Sequence, residues 1–150
     1  MNHSRRAACV RFVALTGMFA GALAAGPARA ESVSAADARA IREIVEAQLA
    51  AFAADDAGRA YSYAAPAIRE MFGTAEQFMR MVRTNYPVVY RPAAVVFLAP
   101  VRAEGQVVQG VHMTDDRGKL WLAVYRLDRQ ADLSWRIAGC VVQPSAGRLT

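Results

Sequence analysis

Cysteine, histidine and lysine are the scarce residues of this chain, and each scarcity closes a line of chemistry. Two cysteines occur, Cys9 and Cys140. Cys9 falls inside a segment read below as a targeting peptide, so Cys140 has no partner for an internal disulfide and stability must come from packing. Beyond that segment His112 is the single imidazole, and no Cys/His/Asp cluster has ligand spacing. A zinc site is therefore not expected, and no metal or other cofactor is. Lys119 stands alone against 17 arginines, which reads as the codon bias of a GC-rich bacterial genome. No phosphate-cradling glycine loop and no Gly-x-Ser-x-Gly elbow occurs.

The first thirty residues carry a clear pattern. Arg5, Arg6 and Arg11 form a positive start, Phe12 to Ala25 is a run of 14 uncharged residues, and Ala28-Arg29-Ala30 is a small-x-small site before Glu31. That is the order of a secretory signal peptide, cleaved after Ala30. The run is shorter than the roughly 18 residues expected of a membrane span. Ser4-Arg5-Arg6 faintly suggests a twin-arginine signal, and nothing in the sequence separates the two export routes. The working chain is then one domain, residues 31–150, expected in the bacterial periplasm, with no membrane span after cleavage.

Export also changes the charge argument. The chain holds 18 basic and 13 acidic residues, and four of the basic ones (Arg5, Arg6, Arg11 and Arg29) leave with the signal. The remainder is nearly balanced, with its arginines scattered singly, so no nucleic-acid surface is expected.

Periodicity predicts helices first and strands after. Ser34 to Ala54 reads as an amphipathic helix with Ser34 as N-cap and Ile41, Ile44, Val45, Leu49 and Phe52 on one face. Asp55 and Asp56 end it and cap the next helix, Gly58 to Ala65. Pro66 opens a third segment, stopped by Gly73. Thr74 and Gln77 fit a capping box ahead of the stripe Phe78, Met81 and Val82. Strands are predicted at Val88–Tyr90, Ala94–Ala103 (with Pro100 marking an edge or bulge), Val107–Thr114, Leu120–Asp128 and Ser134–Gln143. The order defines an α+β domain, N-terminal helices packed on a curved antiparallel sheet of about four to five strands.

The turns set a register. A three-residue loop with Gly118 left-handed pairs Asp115 with Lys119, Met113 with Trp121 and Val111 with Ala123. The next hairpin pairs Gln130 with Ser134 and Asp128 with Arg136. Carried onward, it sets Cys140 opposite Val124. One face then holds Val107, Met113, Trp121, Tyr125, Trp135 and Val141, and should meet the helices. The other holds Val108, His112, Leu122, Val124, Arg126, Cys140 and Val142. That second face is too apolar for water alone. An exposed apolar patch marks an interaction surface, and a homodimer is expected through His112, Leu122, Val124, Arg126 and Cys140.

The segment Ala51-Phe-Ala-Ala-Asp-Asp-Ala-Gly-Arg-Ala-Tyr-Ser-Tyr-Ala-Ala-Pro-Ala-Ile-Arg-Glu-Met-Phe-Gly73 resembles the DUF4864 family of uncharacterised bacterial proteins. So do Met79-Arg-Met-Val82, Tyr86-Pro-Val-Val-Tyr-Arg-Pro92, Val108-Gln-Gly-Val111 and Trp135-Arg-Ile-Ala-Gly-Cys140. The resemblance spans nearly all of residues 31–150 and implies no activity. The element order and the terminal Trp-Arg-Ile strand are similar to the NTF2-like (cystatin-like) superfamily, which includes enzymes, ligand binders and dimerisation modules. Fold alone cannot choose among them.

Three functional readings stay open. A non-enzymatic domain would dimerise and hold a small apolar or amphipathic ligand among Tyr61, Tyr63, Arg69, Tyr90, Trp121, Tyr125 and Trp135, with tyrosine hydroxyls and Arg69 or Arg91 orienting its polar end. An isomerase, hydratase or hydrolase would need Asp55, Asp56 or His112 beside a tyrosine in that pocket. An envelope interaction module would use the sheet. Against these stand the plain roles: Asp55 and Asp56 as caps, Asp115 and Asp116 as turn residues, Glu70 as a solvated charge, Cys140 as an inert buried thiol, and the aromatics as core.

Overall fold

The computed structural model describes residues 32–146, so the expected signal segment and the expected cleavage site at Ala30 lie outside the described residues. Ser34 accepts a hydrogen bond from the Asp37 amide at 3.1 Å and starts helix α1, Ala35–Ala53. Ile41, Val45, Leu49 and Phe52 are buried on the face that the 3.6-residue period selects. Asp56, not Asp55, caps α2 (Ala57–Ser62) by accepting from the Arg59 amide. Pro66 sits in the first turn of α3 (Pro66–Phe72), and Gly73, at φ 74°, ends it in a conformation that costs glycine little. Thr74 accepts from the Gln77 amide and opens α4 (Ala75–Asn85).

One predicted strand is a helical turn instead. Val88–Tyr90 belongs to α5 (Pro87–Tyr90). Proline fixes a helical φ at the first position, and both Val89 and Tyr90 return amide hydrogen bonds to the Tyr86 carbonyl. β-Branched composition alone had favoured a strand, and the local proline overrides it.

The sheet is antiparallel and open, with strands β1 (Ala94–Phe97), β2 (Val101–Ala103), β3 (Gln106–Thr114), β4 (Leu120–Arg129) and β5 (Trp135–Pro144). β1 and β2 both pair with one edge of β3, and the order onward is β3, β4, β5. The predicted strand Ala94–Ala103 is thus two edge pieces separated by Leu98-Ala99-Pro100, because proline has no amide to give to the ladder. The β5 edge is partly covered. Ile137 donates to the Tyr63 carbonyl and accepts from the Ala65 amide, which attaches the segment before α3 to the sheet.

The predicted register holds through the first hairpin. Gly118 is left-handed at φ 78°, the Asp115 amide donates to the Lys119 carbonyl, and Met113 faces Trp121. It holds at the start of the second, where Asp128 faces Arg136 and Leu127 faces Ile137. It then slips by one residue. Arg126 pairs with Gly139, so Ala138 is an extra residue with no partner, a β-bulge. A one-residue slip exchanges the faces of everything beyond it. Cys140 pairs with Tyr125 rather than Val124, and Cys140 and Val142 move to the helix-covered face while Val141 moves outward. The expectation that Cys140 lies on the outer face, available to a second copy, is corrected by this bulge.

The core fills the space between α1, α4, α5 and the inner sheet face. Tyr125, Phe52, Ile41, Met113 and Leu127 are among its largest fully buried side chains. The rings of Phe52, Tyr61 and Phe72 each pack on Phe78 with centroids 5.6–5.9 Å apart, in tilted or edge-on geometry.

Candidate ligand cavity

The bulge on β5 borders open space. Beside it lies a cavity of about 520 Å³, walled by α3 and α4 on one side and by β4 and β5 on the other. Its deep wall is Phe52, Val82, Ile137 and Tyr125, all buried. Met71 is 72 % exposed and lines the same space, as do exposed Asn85 and Arg126, so these three mark the mouth. The volume falls in the range of small-molecule sites, which are mostly apolar with a few placed polar groups.

Tyr125 is the most unusual of those polar groups. Its side chain is fully buried, and its hydroxyl has no hydrogen-bond partner. The Cys140 thiol is its neighbour across the strand pair, without the geometry of a hydrogen bond to the phenol oxygen. Burial first, and the adjacent thiol second, push the phenol well above its ordinary pKa. Burial likewise pushes the thiol up to about 12. Both groups are neutral at physiological pH. A hydroxyl left unpaired in a protein interior costs about 1–3 kcal/mol, so this one weighs against the stability of the fold. Gln48, also buried, spends its amide differently: Nε2 donates to the Ala60 carbonyl at 3.1 Å and holds α1 against α2.

The other sequence-selected residues are distributed around the fold. Tyr61 packs on Phe78, and its hydroxyl donates to the Arg69 carbonyl. Arg69 itself is exposed on α3 and does not line the cavity. Tyr63 accepts from Arg59 Nε at 3.3 Å. Trp135 sits at the far end of the sheet, where its indole donates to Asp37 at 3.4 Å and the Arg129 guanidinium lies 5.7 Å from its ring. Trp121 donates to Asp115 at 2.9 Å, under the Lys119 ammonium. It lines a second cavity of about 620 Å³ together with Tyr86, Arg91 and Asp116. Of the seven pocket candidates, Tyr125 alone borders the first cavity.

Asp55 has a role that capping did not foresee. It adopts φ 55° and accepts from Arg83 at 2.6 Å, from Arg91 at 3.0 Å and from the Tyr90 hydroxyl. Both guanidiniums also lie within 5.2 Å of the Tyr90 ring centroid. The Tyr90 hydrogen bond, then that of Arg83, hold the carboxyl below its usual range. Asp55 therefore ties the end of α1 to α4 and α5. Arg91 and Tyr90 are engaged in this cluster, away from the first cavity.

On the outer face the side chains meet solvent. Val96, Leu98, Val101 and Val141 are 40–59 % exposed. Around them lie half-buried Val108, His112, Leu122 and Val124. The Nδ1 atom of His112 is buried without a hydrogen bond. Arg126 belongs to this face by register but lies across Gly139, with Nη2 2.8 Å from where a β-carbon would stand. Among the described residues no group of three or more His, Cys, Asp or Glu side chains could hold a metal ion, and no helix is long and apolar enough to cross a membrane.

Helices over one face of an open antiparallel sheet, with a cavity between the layers, define an α+β domain with an internal cavity. The chain belongs to the DUF4864 family: the family model, described as a domain of unknown function, matches residues 34–150. Neither the curated proteins nor the solved structures give a match.

Proposed function

We propose that the domain, in its exported form, is a non-enzymatic ligand-binding module of NTF2-like type that holds a small, largely apolar or amphipathic molecule. The cavity of about 520 Å³ between the helices and the sheet carries this reading, because small-molecule sites are concave and mostly apolar with a few placed polar groups. The cavity lining supports holding over turnover. No carboxylate or imidazole borders it among the described residues, and its phenol and thiol are both shifted away from the neutral range that acid–base work needs. His112, on the outer face, and Asp55, in its arginine cluster, stand apart from the space where a substrate would sit.

The test is extraction. Protein purified gently from its own host is denatured in organic solvent and the extract is weighed by mass spectrometry. A small molecule is expected in stoichiometric amount, and Ile68→Trp, which fills the cavity from α3, should lose it. An extract free of any retained molecule contradicts the reading.

A second reading concerns assembly. The exposed apolar row from Val96 and Leu98 to Val141 supports a homodimer through the outer sheet face, since a patch of this kind is costly in water. The competing role, recognition of a different envelope protein, uses the same surface. Sedimentation equilibrium separates them: a self-associating domain is expected, and a strictly monomeric one favours the envelope partner.

A further inference from the structure

The charge of the ligand can be argued from one crossing of side chain and backbone. Arg126 and Gly139 are partners in the β4–β5 pair at the point where the register shifts. The ideal β-carbon position at Gly139 lies 2.8 Å from Nη2, 3.3 Å from Nε and 3.5 Å from Cζ of Arg126. The guanidinium thus lies over the strand at Gly139, in room that only a missing side chain leaves. β5 is the last strand of the sheet, so crossing it carries the cation to the sheet edge, where Arg126 lines the mouth of the cavity.

At that mouth the guanidinium is unneutralised. Arg83 and Arg91 are paired with Asp55, and Arg102 and Arg129 with Asp37. Arg126 has no carboxylate within salt-bridge distance among the described residues, and no acidic side chain lines the cavity. A planar fork of N–H donors, exposed to solvent and beside an apolar interior, matches a carboxylate whose chain runs inward. We infer that the cavity takes a single-chain carboxylate amphiphile, its head group held by Arg126 at the mouth and its chain lying against the apolar walls of α3, α4 and β5. This rests on the ligand-binding reading above and adds the chemical class.

The probe pair is decanoate and its methyl ester, which share a chain and differ in charge. Titration calorimetry of the full exported domain should give decanoate about tenfold tighter than the ester, as expected for one partly exposed charge-assisted hydrogen-bonded pair. Arg126→Gln should remove the difference by weakening decanoate alone. Gly139→Ala is the second variant. Its methyl group displaces only the far end of a flexible side chain, so the fold is retained, and decanoate should again weaken while the ester does not. Equal affinity for acid and ester in the unmodified protein, or a preference that survives both variants, overturns the head-group assignment and leaves the cavity reading intact. Failure of both probes to bind, with no small molecule in the solvent extract, overturns both.

Discussion

Tyr125 and Cys140 face one another across β4 and β5, one residue away from the pairing that the hairpin turn alone dictates. The bulge at Ala138 produces that relationship. It turns a thiol inward beside a phenol that has no hydrogen-bond partner, and it sends Val141 out to solvent. The candidate site and the candidate interface are thus both set by one extra residue.

Removing the Tyr125 hydroxyl should separate stability from binding. Tyr125→Phe eliminates an unpaired buried donor while keeping the ring, so the ligand-free domain should gain about 1 kcal/mol in chemical denaturation. The same variant should keep its affinity for the molecule recovered from the native protein, because the buried hydroxyl is closed off from the cavity. Loss of stability without ligand would mean that the hydroxyl is satisfied in the folded chain.

Cys140 should be slow to react. With its pKa pushed up to about 12, the thiolate is scarce at pH 8, and iodoacetamide labelling of the folded domain should run at least ~100-fold slower than that of the denatured chain. Labelling should accelerate only with unfolding. A fast native reaction would place the thiol in water.

The Asp55 cluster predicts the direction of acid sensitivity. Its folded pKa is lowered, chiefly by the Tyr90 hydrogen bond and then by Arg83. The cluster's contribution is therefore fully present above the unfolded carboxylate range and is lost as pH falls through the lower folded value. Asp55→Asn should be less stable than the unmodified domain at pH 7, and the two should converge as the pH is lowered toward 2. A gap independent of pH would mean that the ion pairs contribute nothing.

Substitution on the outer face should act on assembly alone. Val141 is 59 % exposed, so Val141→Asp should change monomer stability by less than about 0.5 kcal/mol. A carboxylate buried unpaired between two sheets should weaken self-association by about 100-fold or more, read by sedimentation equilibrium. Undiminished association would move the interface elsewhere.

The sequence was most legible where local signals agreed. Ser34, Thr74 and Gly73 delimit helices as their types suggest, and Gly118 sets the first hairpin to the residue. Signals failed where two of them competed. Val88-Val89-Tyr90 has strand composition, but Pro87 starts a helical turn. Gly139 carried the one hint of the bulge, since a glycine inside a strand often marks a bulge or a close approach, and here it marks both. Reading it would have moved Cys140 inward and brought Arg126 to the cavity. The sequence had suggested Arg69 or Arg91 to orient an acidic ligand. Arg69 is turned to solvent, and Arg91 is held by Asp55, a pairing across 36 positions that no local pattern reveals. Gln48 and the mouth residues Met71 and Asn85 were likewise invisible, because cavity walls are drawn from several elements at once.

The central claim is that the domain is built to hold a molecule between its helices and its sheet. Native mass spectrometry of the protein, taken from its own host without denaturation, tests it most directly. The account predicts a dimer in which each subunit carries one small molecule, released from the Ile68→Trp variant. A subunit mass equal to that of the polypeptide alone, in every charge state and at the gentlest desolvation, would contradict it.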